Sequence, residues 1–343
     1  MIITRTPFRI SFFGGGTDYP VYFREYGGTV LNATINHYCY IMCRYLPSFF
    51  DYKYRIRYTK MEYTSTISEI RHPSVRACLK YMKIKEGIEM VHSSDIPAMS
   101  GLGSSSAFTV GFLNSLYALK GQMIAKRPLA ANAIHIEQDI LKENVGSQDQ
   151  VATTFGGLNR IEFYPDSTFF VQPVTLGPER IQYLQDHLLF YFTGFQRCAD
   201  DVAQKQVEAT KKKVTELNEM RSMVDEALKI LNSNGDLDPF GVLLDKTWKL
   251  KRSLTDVISN DKLDEIYNMA VGAGALGGKL CGAGGGGFFL FFVPPERRQK
   301  VKEALHKLLH VPFRFEYAGS HVAFYSENRP EIVNYNWTPV NNW

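Results

Sequence analysis

This chain of 343 residues is short of cysteine, of charge of one sign and of long apolar runs. Its five cysteines, Cys39, Cys43, Cys78, Cys198 and Cys281, are an odd set with no Cys-x-x-Cys pair. That argues against a disulfide-stapled scaffold or a cysteine zinc site and fits a reducing cytoplasm. The net charge is only +4 and the longest basic block is Lys211-Lys212-Lys213, so nucleic acid is not indicated as a partner. The longest apolar run, Phe288 to Val293, cannot cross a bilayer, and Arg5 and Arg9 interrupt any apolar signal region near the start. There is no internal repeat. The expectation is a soluble, cytoplasmic protein without a membrane partner, and its length exceeds one typical core, so two domains are expected.

Glycine, by contrast, is concentrated in three places. A strand-like stretch over residues 1–13 ends in Gly14-Gly15-Gly16-Thr17-Asp18-Tyr19-Pro20. This is either a ligand-holding turn with free N–H groups and one carboxylate, or a plain turn with Asp18 capping the next helix. Two strands are expected next, Gly28 to Asn36 and His37 to Tyr45, then a third, Tyr52 to Tyr58, with Lys53, Arg55 and Arg57 on one face. A helical stretch over 73–86 and a strand from Gly87 to Ser93 lead to the second cluster, Pro97 to Ala107, which contains Ser104-Ser105-Ser106. It stands where a helix to Leu119 begins. The first N–H groups of a helix lack partners and its dipole is positive there, so this run is an anion loop or a serine cap.

A further helix, Leu129 to Lys142, carries Glu137 one residue off its apolar stripe, where an ordinary solvated acid would sit. Asp149, in Gly146-Ser147-Gln148-Asp149-Gln150, is placed as a catalytic base or a helix cap, and spacing does not separate the two. Beyond Pro173 the pattern predicts a strand, Leu188 to Thr193. Helices follow over Ala199 to Leu231, Pro239 to Leu254, Asp261 to Val271 and Pro295 to Leu309, then strands Phe313 to Tyr317 and His321 to Tyr325. The third glycine cluster, residues 272–287, runs straight into Phe288-Phe289-Leu290-Phe291-Phe292, which a disordered linker would not do. This half reads as α+β with an antiparallel sheet.

In order and spacing, Pro7 to Tyr19, Pro97 to Ala107 and Lys279 to Gly287 resemble the three motifs of the GHMP kinase superfamily, the galactokinase, homoserine kinase, mevalonate kinase and phosphomevalonate kinase group. The resemblance implies a two-domain α/β and α+β fold. A ribosomal-protein-S5-like N-terminal domain would span residues 1–175 and a ferredoxin-like C-terminal domain residues 176–343. It implies ATP held by Gly101, Leu102, Gly103, Ser104, Ser105 and Ser106 with Gly284 and Gly285, and Mg²⁺ held by Ser105 and Glu137. Asp149 would take a proton from the attacking hydroxyl, and Arg9 would face it and stabilise charge on the phosphoryl group. Ser106 stands where the family usually has alanine.

For the acceptor, Gly15, Gly16, Thr17 and Asp18 are implied. Thr17-Asp18-Tyr19 matches the sugar-binding run of galactokinases, but Gly15 and Gly16 replace an acid and a histidine, leaving open backbone suited to a larger or phosphorylated sugar. The run from Arg9 through Pro20 is similar to that of kinases acting on the anomeric hydroxyl of D-glycero-D-manno-heptose 7-phosphate. Lys53, Arg55 and Arg57, or Arg197, are the cations available for a distal phosphate. Another sugar such as fucose is the rival substrate. A non-catalytic ATP and sugar sensor is the rival class, and it would have lost one of Arg9, Ser105, Glu137 and Asp149. The implied partners are small molecules, with a homodimer left open.

Overall fold

The computed structural model describes residues 1–195 and 199–327, the side chains of 199–201 excepted; Arg197 and Cys198 lie outside the described residues. Among the described residues the first sheet has eight strands, with Ile2–Phe13 and Gly28–Tyr45 as its antiparallel spine. Ile2–Phe13 alternates at its start and is buried on both faces from Thr6 onward, because Ser104–Leu119 packs across it. Gly28–Tyr45, expected as two strands, is one strand of 18 residues. The polar break at Asn36 and His37 is a bulge: pairing jumps from Pro7–Tyr38 to Phe8–Ile35. Such an insertion bends a strand. Here the first part of the strand pairs with Leu158–Phe163 and the last part with Ile88–Ser94.

The sheet is extended by Phe169–Pro173 on one side and by Tyr54–Arg57 and Met61–Thr64 on the other. Its far edge is His321–Tyr325, which pairs with the start of Ile2–Phe13. The chain therefore returns to its first sheet at His321–Tyr325. Phe313 to Tyr317, expected as a strand, makes a single bridge from Phe315 to Ile35. Its neighbours bond instead across the bulge and the next turn, Arg314 N to Asn36 Oδ1 (2.6 Å) and Gly157 N to Glu316 O (2.9 Å).

The second sheet is antiparallel, in the order Leu309–His310, Leu188–Phe192, Phe288–Phe292, Gly277–Leu280. Alternate side chains of a strand face opposite ways. With five apolar residues in a row, Phe288–Phe292 needs cover on both faces, and it has it. Phe288, Leu290 and Phe292 join the large core with Phe190 and Phe240, while Phe289 and Phe291 pack with Trp248 and Tyr267. The helical stretch expected over 199–231 is two helices, Ala199–Thr210 and Val214–Asn232, parted at Lys211 to Lys213. That expected over 295–309 shortens to a 3₁₀ turn and Arg298–Ala304, because Leu309–His310 pairs into the sheet. Helix Pro178–Asp186, not expected, begins on proline. Cys39, Cys43, Cys78 and Cys281 are buried free thiols. Among the described residues no helix is long and apolar enough to cross a membrane.

Candidate active site

A cavity of about 710 Å³ is lined from both halves of the chain, and the glycine-rich loops meet on it. The second loop reaches the helix Ser104–Leu119 through Gly103, which is left-handed (φ 74°), and no side chain caps that helix. The serines therefore do not close the helix end; Ser104, Ser105 and Ser106 line the cavity with the first turn uncapped. The third loop lies against the second so closely that a Cβ on Gly282 would stand 2.4 Å from Gly101 Cα. Glycine at both positions is what lets the two loops meet.

Arg9, 3% exposed, points from the first strand beneath this junction. Its Nε and Nη2 donate to Asp149 Oδ1 and Oδ2 at 2.6 and 2.7 Å, and Nη1 donates to Gly101 O at 2.8 Å. Burial works against its charge, but the field and hydrogen bonds of Asp149 outweigh that and hold the guanidinium protonated above its ordinary range. Asp149 lies in the first turn of Gln148–Phe155 and faces the cavity; its carboxylate is spent on Arg9, not on a cap.

Asp18 also lines the cavity. It does not cap the following helix, whose N-cap is Tyr19. Its carboxylate accepts from Gly16 N (3.0 Å) and Gln148 N (3.3 Å). Burial, and then the charge of Asp149, raise its proton affinity. A Cβ on Gly146 would stand 1.9 Å from Asp18 Oδ2, so this glycine is the space in which the carboxylate sits.

Gly15 and Gly16 line the cavity, and Thr17 does not. The Thr17 hydroxyl donates to Gly14 O (2.8 Å) and Thr29 O (3.0 Å), so it shapes the turn instead of meeting a ligand. Leu102 is in the core, its carbonyl accepting from Arg9 N at 3.2 Å. Gly284 and Gly285 are turned away, packed and bonded against Ile258. Of the third loop, Gly282 and Ala283 reach the cavity. Lys53, Arg55 and Arg57 do not; Arg55 pairs with Glu89 (3.3 Å) and lies over the Phe50 ring.

Glu137 sits in a π-helical turn, His135–Ile140, wholly buried and off the cavity lining. Its Oε2 accepts from Ser106 Oγ (2.8 Å) and Gln150 Nε2 (2.5 Å), and its Oε1 has no partner. Burial, and then the charge of Glu143, push its carboxyl up to about 7. The hydroxyl joined to Glu137 is thus that of Ser106, the residue that departs from the family pattern; Ser105 is exposed on the cavity wall. A hard cation fits this donor set in one respect: the Glu137 carboxylate, joined to the Ser106 hydroxyl through Oε2, keeps Oε1 without a hydrogen bond among the described residues. Among the described residues the one group of three His, Cys, Asp or Glu side chains with ligand spacing is His187, Asp236 and Asp238, and none of these lines the cavity.

Four side chains that sequence reasoning passed over complete the wall. Ser11 Oγ and Gln148 Oε1 are buried there without hydrogen-bond partners among the described residues. Lys251 and Lys279 line it from the second half of the chain, both buried. Elsewhere the wall is aromatic: His72 stacks on Phe108 (4.7 Å between centroids) with Tyr58 and His92 edge-on to the pair. Burial drops His72 to about 4 and lowers His92, so these rings are neutral at physiological pH.

Two stretches of the chain match kinase family models in sequence order, residues 73–157 the GHMP kinases N terminal domain and residues 211–311 the GHMP kinases C terminal. The fold and cleft are those of a kinase. The chain belongs to the GHMP kinase superfamily. The D-glycero-alpha-D-manno-heptose 7-phosphate kinase of Campylobacter jejuni is 32% identical over 320 residues, 89% of this chain and 93% of that protein. The crystal structure of a D-glycero-D-manno-heptose 1-phosphate kinase from Bacteroides thetaiotaomicron has a TM-score of 0.77 at 26% identity, covering 95% of this chain and 100% of that one. The L-fucokinase/L-fucose-1-P guanylyltransferase of Bacteroides fragilis is 26% identical over 325 residues; the match takes 82% of this chain but only 33% of that protein.

Proposed function

We propose that this kinase transfers the γ-phosphoryl group of ATP to the anomeric hydroxyl of a sugar phosphate, D-glycero-D-manno-heptose 7-phosphate, giving the 1,7-bisphosphate. The observation that carries the reading is the Arg9–Asp149 pair, set in one cavity with the uncapped helix end and Asp18. Backbone amides of Gly101 and Gly103 to Ser106 cradle the ATP phosphates, as a helix N-terminus favours. The rings of Tyr58, His72, His92 and Phe108 form an aromatic stretch of the cavity wall on which an adenine can pack.

Asp18, Ser11 and Gln148 take sugar hydroxyls, since each faces the cavity as a buried polar group. The acceptor oxygen bonds to the γ-phosphorus as the bridging P–O bond to ADP breaks, and its proton goes to Asp149. Arg9 fixes the direction of that carboxylate and adds positive charge where the phosphoryl oxygens gather it. Glu137 with Ser105 and Ser106 would hold Mg²⁺, which when bound neutralises phosphate charge.

The choice of sugar is supported by the 32% identical Campylobacter relative and by the open backbone at Gly15 and Gly16. An ADP-release assay with saturating ATP and Mg²⁺ tests it, run in parallel with heptose 7-phosphate, unphosphorylated heptose and L-fucose. Heptose 7-phosphate should turn over fastest; a preference for fucose would overturn the choice of sugar and leave the kinase chemistry standing. Gly146→Ala should raise KM for the sugar phosphate about 10²-fold, the size expected when a positioned group moves by an ångström, because the new methyl needs the space of Asp18 Oδ2. KM for ATP should stay near its original value, and equal loss for both substrates would count against the division of the cavity.

A further inference from the structure

Lys251 and Lys279 have no task in the reaction as set out above. Lys279 Nζ donates to Phe12 O at 3.0 Å, and Lys251 Nζ to Leu280 O at 3.0 Å and Gly282 O at 2.5 Å. Neither forms an ion pair among the described residues, although both are buried, at 7% and 2% exposure. Lys251 Nζ also lies 5.9 Å from the centroid of the Trp248 ring, but a buried ammonium with no carboxylate partner is still poorly compensated. Five charged side chains meet here: Arg9 and Asp149 neutralise one another, which leaves Asp18 against two lysines. The cavity lining as a whole holds three cations, Arg9, Lys251 and Lys279, and three carboxylates, Asp18, Glu143 and Asp149; among the described residues the two lysines are the cations of this wall that no carboxylate pairs with.

Position narrows the occupant. Lys279 is fastened to the carbonyl two residues before the turn Gly14 to Gly16, whose bare backbone and Asp18 form the acceptor side of the cavity. The nucleotide has its own anion site at the uncapped helix Ser104–Leu119. The surface cations Lys53, Arg55 and Arg57 are off the cavity lining.

We propose that Lys251 and Lys279 together form the seat for the phosphate that the acceptor already carries. This rests on the reading of the acceptor as a sugar phosphate. A phosphate monoester carries about −1.5 to −2 charges at neutral pH, which two ammonium groups match, and lysine binds phosphate as a point charge. The anion also completes the lysines. Burial brings Lys279 down to about 8 and holds Lys251 well below its ordinary range, and a bound dianion would favour the protonated form of each.

Calorimetric titration of the full chain with heptose 7-phosphate, unphosphorylated heptose and a non-hydrolysable ATP analogue tests this. The wild type should bind the phosphorylated sugar far more tightly than the free one, and Lys251→Met and Lys279→Met should each shrink that ratio by about 10- to 100-fold, the worth of hydrogen bonds to a charged group. A wild type that prefers the phosphate, with variants that keep the preference, overturns the lysine assignment alone. Equal binding of both sugars by the wild type overturns the sugar phosphate reading and this seat with it. Loss confined to the ATP analogue assigns the lysines to the nucleotide and overturns the proposal.

A second measurement needs no variant. At pH 8, in two buffers of different ionisation enthalpy, binding of heptose 7-phosphate should draw at least about half a proton onto the protein, as linkage requires of a group half charged at that pH. Free heptose should draw none. Arg9 on the first strand, Asp18 on the next turn and Cys281 on the third loop are the other titratable groups acting on the pair. Absence of proton uptake with the phosphorylated sugar overturns the seat.

Discussion

Asp149→Asn is expected to lower kcat by about 10²- to 10⁴-fold, the range for loss of a general base, with binding of a non-hydrolysable ATP analogue retained. Asparagine keeps the size of the side chain and the direction of its helix, but it offers Arg9 one acceptor oxygen where the carboxylate gives two, at 2.6 and 2.7 Å. More important, an amide cannot take the proton of the attacking hydroxyl. Phosphoryl transfer relies mainly on positioning and charge, so residual turnover well above zero is expected from the loop amides and Arg9. Single-turnover rates with bound ATP separate the two contributions. A loss below about tenfold would mean that Asp149 only positions Arg9, because a working base is worth more than that.

The sequence pattern located the loops and the elements that carry them, because glycine clusters and apolar periodicity are local signals. It could not pair Arg9 with Asp149, which are 140 residues apart; their partnership came from resemblance, and the bidentate geometry gives it a physical basis. Ser106 was visible only as a departure from the family. Its reason is tertiary: its hydroxyl supplies a hydrogen bond to Glu137, which would otherwise be buried with less compensation.

Glu137 itself reads as a solvated acid because a regular helix would put it off the apolar stripe, and the π-turn at His135–Ile140 changes that phase. Thr17 lies off the cavity lining for the opposite reason. A threonine beside three glycines looks available, but the turn needs its hydroxyl for Gly14 O and Thr29 O.

The two lysines were missed because lysine is nearly always a surface residue, yet each left a trace. Leu244, Thr247, Trp248, Lys251 and Leu254 follow one another at spacings of three, one, three and three on a single helix, so Lys251 belongs to the buried stripe. Lys279 stands in Gly277–Leu280, four residues that are all buried. An unpaired lysine inside an apolar pattern is the signal that would have found both. The returning strand His321–Tyr325 was legible as a strand but not in its partner, since pairing across more than 300 residues leaves no local mark.

Arg9→Met should be the second most damaging change, and its two effects part in a double variant. It removes three hydrogen bonds from a side chain that is 3% exposed and leaves Asp149 close to Asp18 without its cation. Breaking a buried pair from one side costs about 3–5 kcal/mol where both partners are buried; here the Asp149 side chain is 22% exposed, and water offsets part of that. A loss of about 1–3 kcal/mol is therefore expected, read as a lower midpoint in urea. Adding Asp149→Asn takes away the unpaired charge, so the double variant should recover part of the stability.

Activity should behave differently. Arg9→Met alone should cost roughly 10²- to 10³-fold in kcat, as loss of a preorganised charge does, but on an Asp149→Asn background it should cost far less. Groups that act as a unit are not additive. Stability regained together with non-additive rates is the signature of one catalytic pair. If the two rate losses instead multiplied and no stability returned, Arg9 and Asp149 would be acting separately, and the salt bridge between them would be a neighbourly contact without mechanistic meaning.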